Sequence, residues 1–320
     1  MSARSPQDQQ YVGVELCAGS ARAALVSAGG EVLARRESAS LADDAAGQVA
    51  RLVAALRDET GARVAGVGVG LPGLVSPETG RVIISSDFPS AVRGDLQAEL
   101  RKATGLPVTL DNDANAGALG EYAAGAGRGS RNMFYVTIGT GIGGAIIIDG
   151  RLWRGASGFA GEFGHITIDP EGVVCACGNV GCLETVASAP NIVRRTRERL
   201  MRDSTSSLSR LGLNKNFTAA DIAHEAKNGD DFAALMIERT GRFIGTAIAT
   251  VINLLNTERV VLGGGVMDAG SLILDPIIRE AQRRSFQPNF ESTQIVAATL
   301  GPDAAPIGAA LLARDAQGST

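Results

Sequence analysis

The same succession of segments occurs twice in the chain: a β-rich run, a glycine turn and a second β-rich run. Residues 11–15 and 22–28 are the first such pair, and residues 134–138 and 144–148, joined by the glycines of residues 139–143, are the second. A pattern that recurs at comparable places in two halves indicates an internal duplication. The sequence therefore predicts two α/β domains with a cleft between them, where ligands usually bind.

Other segments have helical or strand spacing. Residues 45–60 carry apolar side chains at helical intervals and are followed by Gly61, a residue typical of helix ends. Further helices are predicted over 96–104, 232–255 and 307–313, and further strands over 31–36, 64–69, 108–110 and 259–262. The polar residues 203–217 are predicted to form a loop.

Composition excludes several classes of protein. The length of 320 residues corresponds to about two domains at roughly 150 residues each. A net charge of −4 is not typical of a nucleic-acid-binding surface. The most apolar stretch, residues 133–148, is interrupted by four glycines and two threonines, so we expect no membrane association. The first residues have no apolar signal region, which favours a cytoplasmic location.

Three of the four cysteines lie within eight residues, at Cys175, Cys177 and Cys182, and His165 precedes them by ten residues. Three thiolates and one imidazole form the closed tetrahedral set that structural Zn²⁺ prefers. The alternative is a group of three incidental buried thiols, but this clustering favours a metal site. Because a closed set leaves no open coordination position, we expect a structural rather than a hydrolytic zinc.

Two motifs carry a resemblance to a known family. They are Gly161-Glu162-Phe163-Gly164-His165 and Cys175-x-Cys177-Gly-x-x-Gly-Cys182-x-Glu184. Together they resemble the ROK family of bacterial sugar kinases and sugar-responsive repressors. Asn112-Asp113, the glycine run of residues 139–144 and the glycines of residues 263–265 and 308 agree with it, so the resemblance covers residues 11–315.

The resemblance implies an α/β protein with the two-domain actin-like ATPase or hexokinase fold, which is ribonuclease H-like and has an interdomain cleft. Residues 1–115, completed by a C-terminal helix at 302–320, are the expected small domain, and residues 116–301 are the large domain that carries the zinc loop. Repressors of this family have a helix-turn-helix region before the first hairpin. Since the first strand starts near Tyr11, we expect no such region and no nucleic-acid partner. A homodimer, or a tetramer, is the oligomer implied.

The same resemblance assigns roles on the acceptor side. Asp113 matches the catalytic aspartate that accepts the proton of the sugar 6-hydroxyl, and Asn112 holds a neighbouring hydroxyl. The alternative for these two residues is a turn or a helix cap. The positions matching further sugar contacts are Gly73, Ser86, Glu162, His165 and Glu184, with His165 contacting both zinc and sugar. Taken alone, Glu162 and Glu184 are equally consistent with surface charges.

On the nucleotide side the resemblance implies ATP and Mg²⁺. Gly139, Thr140, Gly141 and Gly143 match a loop whose backbone N–H groups surround the phosphates, and Gly264 matches a residue that borders the adenosine. Ordinary β-turns are the alternative. The family's first phosphate loop, D-x-G-G-T-K, is altered here to Glu-Leu-Cys-Ala-Gly-Ser over residues 15–20, where Glu15 matches the aspartate that faces the metal.

These assignments predict an ATP- and Mg²⁺-dependent hexose kinase that phosphorylates the 6-hydroxyl of glucose or a related hexose. The altered stretch at residues 86–89, where the family has N-L-x-G-W, leaves the choice of sugar open and includes N-acetylhexosamines such as N-acetylglucosamine and N-acetylmannosamine. Polyphosphate is the alternative donor. The altered loop at residues 15–20 favours a second function: a sugar-binding sensor with weak or no kinase activity.

Overall fold

The computed structural model describes residues 9–201, 206–211 and 217–318. The strands are β1 (Gln10–Leu16), β2 (Ser20–Ser27), β3 (Val32–Ala39), β4 (Val64–Leu71), β5 (Leu74–Val75), β6 (Val82–Ile84), β7 (Val108–Asn112), β8 (Met133–Ile138), β9 (Ile142–Ile148), β10 (Arg151–Trp153), β11 (Arg259–Gly263) and β12 (Gln294–Ala297). The α-helices are α1 (Ala45–Thr60), α2 (Pro89–Arg93), α3 (Leu96–Thr104), α4 (Asp113–Ala124), α5 (Glu184–Ala187), α6 (Ala189–Leu200), α7 (Ala219–Lys227), α8 (Asp231–Leu255), α9 (Ser271–Arg284), α10 (Gln287–Glu291) and α11 (Ala304–Gly318). None of the helices in this described part of the chain has the length and apolar character that a bilayer span requires.

The first sheet has the strand order β3-β2-β1-β4-β7. Strands β1, β2 and β3 pair antiparallel as consecutive hairpins, and β4 and β7 then add in parallel. Gly30, with φ of 90°, closes the second hairpin by donating its N–H to the carbonyl of Ser27. In this register Glu15, near the end of β1, lies opposite Arg22 of β2.

The second sheet has the order β10-β9-β8-β11-β12. When the strands of each sheet are counted in chain order, both sheets have the same spatial order: third, second, first, fourth, fifth. Strands β9 and β10 are antiparallel, whereas β8, β11 and β12 are parallel. The internal duplication predicted from the two glycine-turn segments is therefore confirmed at the level of strand order.

Small residues let helix α11 approach the first sheet closely. A Cβ added to Gly13 of β1 would lie 1.7 Å from the carbonyl oxygen of Pro306, and one added to Gly68 of β4 would lie 1.7 Å from that of Ala309. The closing helix predicted over residues 307–313 is confirmed as part of α11, and its residues there are buried as part of the core. Any side chain at either glycine would push this helix away from the strands.

The chain divides into two compact units. One comprises residues 1–131, 145–161 and 298–320, and the other residues 132–144 and 162–297. The predicted domain bounds, 1–115 with 302–320 and 116–301, stay a prediction. Within the predicted loop of residues 203–217, Ser207–Leu211 forms a short 3-10 helix, and residues 203–205 and 212–216 lie outside the described residues.

Candidate functional site

In the first unit, strand β7 leads directly into helix α4 at Asn112 and Asp113. Asn112 is the N-cap: its Oδ1 accepts from the backbone N–H groups of Ala114 (2.8 Å) and Asn115 (3.2 Å). Its Nδ2 donates to the carbonyl of Gly73 at 3.1 Å. The helix-cap alternative is thus confirmed for Asn112, and this cap fixes Asp113 as the first residue of the helix.

The carboxyl group of Asp113 is partly buried and accepts from the N–H of Ala114 at 2.9 Å. Loss of water contact, followed by the negative charges of Glu15 and Asp87, raises the pKa of Asp113 from 3.8 to about 7. The backbone hydrogen bonds oppose this shift. A carboxyl group that titrates near neutral pH is suited to accept a proton in catalysis, because general bases work best near the operating pH.

Glu15 forms an ion pair that the sequence analysis missed. Arg22 Nη1 lies 3.0 Å from Glu15 Oε2, and Arg22 Nε lies 3.1 Å from Glu37 Oε1. Burial raises the pKa of Glu15, while Arg22 lowers it. The predicted hairpin could have indicated this ion pair, since Glu15 and Arg22 are cross-strand partners. A cation therefore stands on β2, two residues after the serine that replaces the family's lysine.

The altered loop between β1 and β2 is a tight turn. The N–H of Cys17 donates to the carbonyl of Ser20 at 2.8 Å. Burial raises the pKa of the Cys17 thiol, and the negative charges of Glu15 and Asp113 raise it further. Cys17 is therefore a protonated thiol at neutral pH, and it adds no charge to this part of the unit.

Asp111, one residue before the cap, is a buried carboxylate with a complete set of partners. Its Oδ1 accepts from the backbone N–H of Asn112 and from Asn115 Nδ2, both at 2.8 Å. Its Oδ2 accepts from Arg154 Nη2 at 2.5 Å and from Arg154 Nε at 3.1 Å. This network, which the sequence analysis also missed, holds the end of β7 and with it the position of Asp113.

Gly73 and Ser86 lie in the same unit. Gly73 has φ of +113°, and a Cβ there would lie 2.0 Å from the carbonyl oxygen of Ile84, so only glycine fits. Ser86 is exposed, and its hydroxyl lies 3.4 Å from Asp87 Oδ1. The neighbouring Ser85 is buried instead, and its Oγ accepts from the N–H of Phe88.

In the second unit, residues 139–141 form a short loop between β8 and β9, and hydrogen bonds hold it at both ends. The N–H of Gly139 donates to the carbonyl of Gly141 at 2.9 Å, and the carbonyl of Gly139 accepts from the N–H of Ala189 at 2.8 Å. At the other end, Ile142 N donates to Glu184 Oε2 at 2.9 Å. Thr140 is exposed within the loop.

Gly264 packs against the strand end that precedes this loop. It has φ of +87°, and a Cβ there would lie 2.4–2.6 Å from backbone atoms of Ile138. Two predicted nucleotide elements, the glycine loop and Gly264, are therefore adjacent in the second unit.

The four predicted metal ligands come together. One ligand atom from each of His165, Cys175, Cys177 and Cys182 lies within 4.8 Å of the others. Cys175 Sγ is 3.7 Å from His165 Nδ1, and Cys177 Sγ is 3.7 Å from Cys182 Sγ. Zinc–sulfur bonds of about 2.3 Å and zinc–nitrogen bonds of about 2.0–2.1 Å in a tetrahedron separate ligand atoms by about 3.5–3.8 Å. The cluster fits such an ion.

The two ring nitrogens of His165 face different partners. Nδ1 faces the thiol cluster, whereas Nε2 lies 3.9 Å from Glu162 Oε2. Loss of water contact raises the pKa of Glu162, His165 lowers it, and the charge of Glu184 raises it again. The second unit therefore brings the polar groups of Glu162, His165 and Glu184 into one electrostatic cluster.

Comparisons with known proteins identify the family. The model of the ROK family matches residues 11–316. A glucokinase of Halalkalibacterium halodurans is 36% identical over 327 residues, which cover 98% of this chain and 97% of that protein.

Two solved structures extend the comparison. A ROK family glucokinase from Streptomyces griseus in complex with glucose and AMPPNP is 33% identical, with a TM-score of 0.86 over 96% of this chain and 99% of that one. A ROK family transcriptional regulator, a homologue of the E. coli MLC protein, is also 33% identical, with a TM-score of 0.84 over 97% of this chain and 78% of that one. The expected two-domain actin-like ATPase fold is confirmed, and the chain belongs to the ROK family.

Proposed function

We propose that the protein is an ATP-dependent hexose kinase that transfers the γ-phosphoryl group to the 6-hydroxyl of glucose or a related hexose. The observation that carries this proposal is the carboxyl group of Asp113, which begins helix α4 and has a pKa raised to about 7. The similarity to glucokinases along nearly the whole chain supports the same reaction.

Asp113 is the proposed catalytic base. Its ionised carboxylate accepts the proton of the 6-hydroxyl while the hydroxyl oxygen attacks the γ-phosphorus and ADP leaves. Asn112 orients a neighbouring hydroxyl through the second hydrogen of Nδ2, since its Oδ1 already accepts the two N–H groups that it caps. We assign Gly73 and Ser86 to the same sugar, Gly73 through its backbone and Ser86 through its exposed hydroxyl.

The proposed sugar contacts in the second unit are Glu162, His165 and Glu184. A sugar hydroxyl both donates and accepts hydrogen bonds, and this cluster offers carboxylates as acceptors and an imidazole that can donate. Zinc, held by Nδ1 of His165 and by the three cysteine thiolates, supplies a fixed ring tautomer and orientation when bound. Nε2 then carries the hydrogen and can donate it to a sugar oxygen.

For the nucleotide, we assign the phosphates to the loop that begins at Gly139, through the backbone N–H groups of Thr140, Gly141 and Gly143, and the adenosine to Gly264. The N–H of Gly139 itself donates to the carbonyl of Gly141 and shapes this loop. The carboxylate of Glu15 is the proposed residue toward Mg²⁺, through a water molecule. Burial raises the pKa of Glu15, and the guanidinium of Arg22 opposes that rise and balances the charge of the carboxylate.

We further propose that the protein acts in the cytoplasm as a homodimer, or as a tetramer. All four cysteines, including those of the metal cluster, are free thiols, which supports a reducing compartment. Sedimentation velocity measures the oligomeric state directly.

One observation favours a second function, a sugar-binding sensor with weak or no kinase activity. Glu15 is already paired with Arg22 at 3.0 Å, in a loop whose glycines and lysine are replaced. A carboxylate engaged in this way has less capacity to hold a hydrated metal ion. The similarity to a ROK family transcriptional regulator fits this alternative.

The experiment that separates the two functions measures ADP release from ATP and Mg²⁺ with glucose, mannose, fructose, N-acetylglucosamine and N-acetylmannosamine in turn. Asp113→Asn is the blank, and inorganic polyphosphate replaces ATP in a parallel series. Turnover on one sugar that the blank lacks supports the kinase. Absence of turnover combined with sugar-induced thermal stabilisation of the same sample supports the sensor.

A further inference from the structure

The carboxylate of Glu184 contacts the glycine loop. Its Oε2 accepts from the backbone N–H of Ile142 at 2.9 Å, and Ile142 is the residue that ends the loop and begins β9. A Cβ added to Gly141 would lie 2.8 Å from the same oxygen. The side chain we assign to the sugar is thus in direct contact with the backbone we assign to the phosphates.

A second contact joins the same two parts. A Cβ added to Gly164, in the segment between Glu162 and His165, would lie 2.2 Å from the carbonyl oxygen of Ile142. Ile142 is therefore enclosed by Gly164 on its carbonyl side and by Glu184 on its N–H side. Ile142 is itself 6% exposed, so it has little space to move independently of them.

We propose that Glu184 is a positioning residue that couples the two substrates, an inference that rests on the hexose kinase function proposed above. A carboxylate has two oxygens, each able to accept hydrogen bonds. Oε2 holds the N–H of Ile142, and Oε1 is the oxygen available to a sugar hydroxyl. A sugar bound at Oε1 fixes the side-chain conformation of Glu184 and thereby fixes the loop in the position that receives the phosphates.

The coupling is reciprocal by thermodynamic necessity: a nucleotide that orders the loop increases the affinity for sugar by the same factor. We expect that factor to be about 5- to 10-fold, within the usual range for coupled sites. The coupling factor is the ratio of two glucose dissociation constants measured by calorimetry, one without and one with saturating AMPPNP and Mg²⁺.

Gly141→Ala tests the contact without changing the sugar-binding carboxylate. The added methyl displaces the end of a flexible side chain, so the fold is retained, but Oε2 can no longer reach Ile142 N. Gly29→Ala, in the turn between β2 and β3, is the matched control outside the proposed binding residues, because a Cβ there meets only the Ser27 hydroxyl oxygen at 3.7 Å, an ordinary contact distance. Neither glycine has a positive φ, so alanine fits the backbone at both positions.

We expect wild type and Gly29→Ala to share the coupling factor and Gly141→Ala to reduce it to about one. Glu184→Ala gives the same loss by another route, since it removes the carboxylate from both partners. Hydrogen exchange gives a readout without nucleotide. Glucose alone should slow exchange of the Ile142 amide in wild type and Gly29→Ala but not in Gly141→Ala.

The outcomes separate the inference from the function on which it rests. Wild type that binds neither glucose nor AMPPNP refutes the hexose kinase proposal and removes the basis of the coupling. Wild type that binds both with a factor of one refutes the coupling alone. Retention of the wild-type factor in Gly141→Ala, or its loss in Gly29→Ala as well, overturns the role of the Glu184 contact.

Discussion

Replacing the catalytic base should make the protein more stable, and the gain should depend on pH. The folded-state pKa of Asp113 is about 7, against 3.8 for an ordinary aspartate. Because the pKa of Asp113 is higher in the folded than in the unfolded protein, ionisation of this group lowers the stability of the fold. Its contribution to stability is therefore fully present below about pH 3.8 and is lost as the pH rises through about 7. A difference of about 3 units corresponds to about 4 kcal/mol at 1.36 kcal/mol per unit.

Asp113→Asn removes this penalty and keeps an oxygen that can accept from the N–H of Ala114. Solvent near the partly buried side chain reduces the full value, so we expect the variant to be about 2–4 kcal/mol more stable than wild type near pH 8. Near pH 5 the gain should be about 2 kcal/mol smaller, because wild-type Asp113 is then protonated in the folded state.

The assay is urea unfolding of sugar-free protein near pH 5 and near pH 8. Asp58→Asn, an exposed position on helix α1, is the matched control and should change the free energy of unfolding by less than about 0.5 kcal/mol at either pH. A gain for Asp113→Asn that is equal at both pH values would show that the pKa of Asp113 is not raised, and a net loss of stability near pH 8 would contradict the reasoning outright.

The other predictions concern charge, metal and burial. Glu15→Gln removes the negative charge that raises the pKa of Asp113, so the acid limb of the kcat/KM profile should move to lower pH; an unchanged limb would exclude that interaction. Cys175→Ser should bring the zinc content, measured by plasma mass spectrometry, well below one ion per chain and lower the melting temperature; full zinc occupancy would contradict the ligand set. Arg154→Ala leaves buried Asp111 without its cation and should cost about 3–5 kcal/mol in urea unfolding, whereas a cost below about 1 kcal/mol would contradict its structural role.

Local patterns predicted most of the secondary structure, because the chain obeys simple spacing and capping rules. The helix predicted over residues 45–60 ends at Gly61 with φ of 65°, as a left-handed cap requires. The prediction for the second β-rich pair was less accurate, since β9 begins at Ile142 and includes part of the glycine run. The local pattern interprets these glycines as a turn. The hydrogen bond from the backbone N–H of Ile142 to the carboxylate of Glu184, 42 residues away, cannot be predicted from local sequence.

The candidate site could be predicted where chemistry dictates residue type, and less well where partners are distant in sequence. Three cysteines and a histidine are enough to indicate a metal cluster, and the structure brings all four together. Asp111 pairs with Arg154, which lies 43 residues further along the chain and belongs to no recognised motif. Only the fold brings its guanidinium to the carboxylate.

A position that requires glycine is equally hard to predict when the requirement comes from a residue distant in sequence. Gly164 is necessary because the Ile142 carbonyl passes close to its Cα, a contact that needs the tertiary structure to be seen. The roles assigned to Asp113 and Glu184 stay predictions that the variants described above test, and the role of Glu162 stays a prediction as well.

The measurement that tests the central claim most directly is identification of the product. Wild type incubated with glucose, ATP and Mg²⁺ should yield glucose 6-phosphate and ADP in equal amounts by ³¹P nuclear magnetic resonance, and Asp113→Asn should be about 10²–10⁴-fold slower. Phosphate on another hydroxyl, near-normal turnover by Asp113→Asn, or no sugar phosphate from a protein that binds glucose would contradict the account of Asp113 as the base for the 6-hydroxyl.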